Sequence, residues 1–138
     1  MKSILGVILY IFSNISLACS CSMGEVPEKF KESDNVFTGQ IETIKFLKRD
    51  NEFGDPRIIV TFKIEQYFKG NSSKTTLHTA YNEMGCTGYW FKEKQSYLIY
   101  AFKEKRKLNT MWCGGVIPKD SETETYSTEV KAIQDIIR

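Results

Sequence analysis

Cys19-Ser20-Cys21 is the stretch of this chain whose residue types and spacing can do chemistry. Only two other cysteines exist, Cys86 and Cys113. A bridge between Cys19 and Cys21 would close a strained ring, so intramolecular pairing has to run from each of them to a distant partner. Two such bridges would fasten the tripeptide to the body of the fold and turn its free end into a rigid chemical group. Four cysteines can also hold zinc, but structural zinc sites favour two CxxC-like pairs. Here one pair is CxC and the other two stand apart, so two disulfides are the expected use. Other chemistry-bearing residues are sparse. His78 is the only histidine and falls inside a strand pattern, where it reads as a structural or surface residue. Glu122 and Glu124 sit in a polar stretch with no motif that supports a paired-carboxylate site. Neither an enzyme nor a cofactor is expected.

The elements that must position the tripeptide begin in front of it. Met1-Lys2-Ser3 is a short positive region, Ile4 to Phe12 an apolar run, and Ser16-Leu17-Ala18 places small residues where a signal peptidase reads them. The run falls short of the roughly 20 residues a membrane span needs. Residues 1–18 therefore read as a secretory signal peptide and Cys19 as the first residue of the processed chain. Lipoprotein processing at the same bond is the alternative, with Ser16 standing where that signal usually carries Leu. Removing 18 of the 138 residues leaves a length suited to one domain, residues 19–138. The whole chain carries a formal charge of +2, too weak a field to imply nucleic acid or an anionic membrane as partner.

Pro27 to Ser33 can form a short helix, with Pro suited to its first turn and Glu28 to its positive end. Val36 to Lys48 mixes β-branched and aromatic residues and reads as one long strand bent at Gly39. Arg49 to Pro56 is a polar hairpin loop. Ile58, Val60, Phe62 and Ile64 recur at period two, the mark of a strand with one buried face. Lys74 to Ala80 gives a third strand, Tyr81 to Gly88 a connector, and Gln95 to Phe102 a fourth strand continuous enough to be buried on both sides. After the charged turn Lys103 to Lys107, Leu108 to Cys113 gives a fifth. Ser127 can cap a final helix in which Val130, Ile133, Ile136 and Ile137 form a stripe. Five strands with hairpin connections predict a small barrel, with this helix packed on it.

In this order the pieces resemble the tissue inhibitors of metalloproteinases and the wider netrin-like modules. The resemblance rests on the CxC after the signal peptide, Ser33-Asp34-Asn35-Val36-Phe37-Thr38-Gly39, and Tyr67-Phe68-Lys69-Gly70. It continues through Cys86 ahead of Tyr89-Trp90-Phe91, then Tyr97-Leu98-Ile99-Tyr100 and Thr110-Met111-Trp112-Cys113. It implies a mainly β fold, a five-stranded OB-fold Greek-key barrel with a flanking short helix and a C-terminal helix. It also implies the pairing Cys19–Cys86 and Cys21–Cys113. In the inhibitory members the first cysteine's amine and carbonyl chelate the zinc of the target protease. Those roles would fall here on Cys19, with Ser20 entering the specificity pocket and Met84, Gly85 and the Arg49–Pro56 loop as secondary contacts.

The expected protein is thus a secreted, disulfide-bonded monomer that inhibits a zinc metalloendopeptidase, with no nucleic acid and no membrane span. A non-inhibitory secreted netrin-like interaction module is the alternative. This chain lacks the further cysteine pair of the animal inhibitors, and the likeness weakens after Cys113. An oligonucleotide or oligosaccharide binder would use Lys45, Lys48, Arg49, Lys103, Lys105, Arg106 and Lys107 as a charged rim. Trp90 and Trp112 are expected to pack on the disulfides.

Overall fold

A computed structural model describes residues 23–50, 54, 56–70, 74–81, 88–110 and 113–138. The stretches rich in β-branched and aromatic residues become β1 (Asn35–Asp50), β2 (Pro56–Lys69), β3 (Lys74–Ala80), β4 (Ser96–Glu104) and β5 (Lys107–Thr110). They are hydrogen-bonded in the order β1-β2-β3-β5-β4, and β1 pairs again with β4, which closes the barrel. The β3–β5 pairing is parallel; the others are antiparallel. A short β6 (Val116–Pro118) lies outside on β4. Helix α1 (Val26–Glu32) precedes the barrel and α2 (Thr123–Ile136) follows it. This is the expected OB-like barrel with its two helices.

Closure depends on β1 serving two partners. Its first part, Asn35 to Gln40, pairs with Ala101 to Ser96, while β2 follows it along most of its length. The register against β2 shifts between Thr38 and Gly39 and again between Ile41 and Thr43, so the strand bends where it changes partners. A side chain at Gly39 would bring its Cβ to 2.9 Å from the Lys63 carbonyl, which explains why the bend carries glycine.

Alternating residues of the same strands feed two separate cores. Phe37, Ile41, Val60, Phe62, Leu77, Phe91, Tyr97, Ile99 and Ala101 fill the barrel. Val36, Leu98, Tyr100 and Ile117 point outward and are covered by Tyr126 and Ile133 of α2, with Met23, Val26 and Phe30 beside them. Tyr97 to Ala101 are consequently all buried, as the unbroken apolar run predicts.

Several boundaries differ from expectation. Cys113 lies in a turn beyond β5 rather than within it, and the three-residue β6 has no counterpart in the sequence reading. Helix α2 begins at Thr123, so Ser127 lies within it and caps nothing; Glu122 holds the N-cap position and Glu124 is in the first turn. Of the expected stripe, Ile133 is buried, whereas Ile136 and Ile137 are 43% and 48% exposed; Tyr126 takes the inward place one turn before Val130.

Candidate functional site

Cys19, Ser20, Cys21, Met84, Gly85 and Cys86 lie outside the described residues. The described residues near them make the following contacts. Where the Arg49–Pro56 loop rejoins β2, the Pro56 carbonyl accepts a hydrogen bond of 2.8 Å from the Tyr81 amide at the start of the connector. The rings of Phe46 and Tyr81 meet edge to face at 5.1 Å on the same side. At the far end of the connector the Tyr89 amide donates to Ala80, and the Gly88 amide donates to Thr110, the last residue of β5, at 3.2 Å. Gly88 has φ +108°, and a Cβ there would lie on the Ala80 carbonyl, so the connector re-enters the barrel through a position only glycine fits.

Cys113, in the turn beyond β5, is partly buried. The turn that carries it is tied back to the barrel. Gly115 accepts from the Tyr100 amide at 2.8 Å, and the Thr110 hydroxyl donates to the Tyr100 carbonyl at 2.9 Å.

The same turn meets α1. The Lys29 ammonium donates to the Gly114 carbonyl at 3.1 Å and to the two carboxylate oxygens of Glu129 at 2.7 and 2.8 Å. It stands 4.6 Å from the centre of the Tyr100 ring, whose hydroxyl donates to Glu129 Oε2 at 2.7 Å. Burial pushes the Tyr100 phenol well above its ordinary range, and the hydrogen bond to Glu129 and that carboxylate's charge push it the same way. Lys29 is 4% exposed, an unusual place for a lysine without a partner this complete. The opposite end of α1 is held by Lys69, whose ammonium donates to the carbonyls of Phe30 and Lys31 at 2.9 and 3.0 Å.

The sequence reading missed this Lys29–Glu129–Tyr100 cluster. Its faint signal is that Lys29 shares a helix face with Val26 and Phe30, which pack inward. The other proposed chemistry is not brought together. Along the β1–β4 pair, Lys103 lies beyond the Asn35 end and Lys45 and Lys48 beyond the Gln40 end, so the basic residues do not make one rim. His78 is half-buried on β3 opposite Ile59. Trp90 is 47% exposed, and Trp112 lies outside the described residues. Among the described residues no group of three or more His, Cys, Asp or Glu could hold a metal ion, and no helix is long and apolar enough to cross a membrane.

No protein-family model matches the chain, and neither does any curated protein.

Proposed function

We propose that this chain is a secreted inhibitor of zinc metalloendopeptidases, acting through the free amine and carbonyl oxygen of Cys19. A catalytic zinc keeps a coordination position open for water. An α-amine with a pKa of about 7.7–8.0 can lose its proton and take that position. The next side chain, Ser20, then enters the specificity pocket. The observations that support this reading are the meeting of the hairpin loop and the connector at Pro56 and Tyr81, the return of the connector to β5 at Gly88, and the contact of Lys29 with Gly114, next to Cys113. These contacts join the border of the hairpin loop to the connector, and the turn after β5 to the helix that follows the N-terminal segment. Such an arrangement lets three separate segments meet a single partner with little ordering cost on binding. The pairing Cys19–Cys86 and Cys21–Cys113 would complete it.

Intact mass of the secreted protein should equal that of a chain beginning at Cys19, with no lipid and no free thiol. Adding one Ala before Cys19 converts the amine into an amide that has no lone pair to donate. The extended protein should fold normally and inhibit nothing. Ser20→Leu should change which zinc endopeptidases are bound, and Ser20→Gly should weaken binding without removing it. Equal inhibition by native and extended proteins, or none by either across a broad panel, would move the assignment to a non-inhibitory netrin-like module.

A further inference from the structure

We propose that the tip of the β4–β5 hairpin, Lys103, Lys105, Arg106 and Lys107, docks the protein on an anionic phospholipid surface. The inference is independent of the role assigned to Cys19. The whole-chain charge of +2 conceals an uneven distribution. Residues 103–107 hold four bases and one acid, a net +3, so the rest of the chain sums to −1. All five of these residues are exposed. None of the four cations is in an ion pair with another described residue. Two carboxylates lie beside them, and both are engaged otherwise. Glu104 Oε2 accepts from the Asn109 side-chain amide at 2.9 Å, and Asp34 Oδ2 accepts from the Lys103 backbone amide at 2.6 Å. These bonds brace the hairpin, one across its own strands and one to the residue that leads into β1.

The turn geometry is a second, separate observation. Lys105 and Arg106 have φ 50° and 66°, a left-handed pair that Asn-Gly fills with least strain. Larger side chains carry a steric penalty there, and adjacent like charges add repulsion. Fold stability alone would select other residues, so a tip that keeps two cations at two strained positions, between two further cations, is arranged for charge. Shape decides the partner. The four cations crowd a two-residue turn, a convex end that a planar surface meets with all of them together. A single-stranded nucleic acid instead needs a basic groove along its backbone and aromatic platforms for its bases. The exposed aromatic side chains among the described residues are Phe46 and Trp90. Phe46 lies beyond the Gln40 end of the β1–β4 pair, away from the tip. Trp90 follows Tyr89, which is bonded to Ala80; β3 and β5 run parallel, so Ala80 is at the end opposite Lys107. No apolar residue stands among residues 103–107 to insert into lipid, so the contact is electrostatic. Each lysine or arginine held at an anionic lipid surface raises affinity about fivefold.

The test is co-sedimentation of the exported protein with vesicles of phosphatidylcholine and phosphatidylglycerol in equal parts, and with vesicles of phosphatidylcholine alone. The native protein should bind the first and not the second. Binding should fade as salt is raised, since the Debye length falls from about 10 Å at 0.1 M to about 3 Å at 1 M. Lys105→Asn/Arg106→Gly removes two cations while suiting the turn, so it should fold at least as stably as the native protein and bind anionic vesicles about 20-fold more weakly. Lys105→Gln/Arg106→Gln, which leaves the turn strained, should lose binding to the same extent. Lys45→Gln/Lys48→Gln lowers the net charge equally, beyond the Gln40 end of the β1–β4 pair, and should bind as the native protein does. Equal weakening by the tip and Lys45/Lys48 variants overturns the proposal, because net charge rather than the tip would then be responsible. Equal binding of the native protein to both kinds of vesicle, or to neither, overturns it as well. So does binding to an oligonucleotide with none to anionic vesicles.

Discussion

The Thr79 hydroxyl is fully buried in the barrel wall and finds no hydrogen-bond partner among the described residues. A buried hydroxyl without a partner costs its desolvation and returns nothing. Thr79→Val, of nearly the same shape, should therefore raise stability by about 1 kcal/mol, read as a higher urea midpoint. The buried tyrosines make a different prediction. Burial is the leading cause that raises the phenols of Tyr89, Tyr97, Tyr100 and Tyr126, with Tyr97 pushed up to about 12. A raised value in the fold means that the unfolded chain loses its proton first, near pH 10. The native state then binds more protons than the unfolded one, and stability falls as pH rises from about 10 to 12. Below about pH 9 these groups contribute no slope. Each can contribute up to about 1.4 kcal/mol per pH unit inside the window. Urea midpoints between pH 7 and 11.5 should show the fall, and Tyr97→Phe should make it shallower.

At the scale of elements, the β4–β5 hairpin turns through Lys105 and Arg106, at φ 50° and 66°. Two consecutive left-handed residues are the signature of a two-residue hairpin turn that Asn-Gly fits best. Lys105→Asn with Arg106→Gly should stabilise the protein by about 1 kcal/mol. Gly88→Ala should do the reverse, by more than about 2 kcal/mol, since strain at positive φ adds to a collision with the Ala80 carbonyl. Denaturation midpoints of both variants check this pair. The strands were legible because each has a simple burial rule: β2 alternates where one face enters the barrel, and β4 runs unbroken because its alternate residues enter different cores. Where the rule lapses, the reading failed. The exposed first turn of α2, Thr123 to Thr125, carries no apolar stripe, and three residues are too few for β6 to show a period. The CxC was legible as chemistry from its spacing. The cluster that anchors α1 was not, because Lys29 and Glu129 are 100 residues apart and each reads locally as an ordinary surface charge.

For the molecule as a whole, α2 is the lid of the second core and the acceptor for Lys29. A chain ended at Glu122 loses Tyr126, Val130 and Ile133 together, each deletion of that kind costing on the order of 2–5 kcal/mol. It should show no cooperative unfolding transition by circular dichroism. The same contact sets a timetable. Polypeptides emerge from the ribosome N-terminus first, at about 5–20 residues per second. Helix α1 therefore appears early, but its buried ion pair cannot form until a residue one hundred positions downstream has been made. In a chain exported as proposed, Cys19 and Cys21 would be the first thiols to meet an oxidising compartment, before Cys86 and Cys113 have followed. Any bond formed before those partners arrive would have to be replaced by thiol–disulfide exchange to reach the proposed pairing.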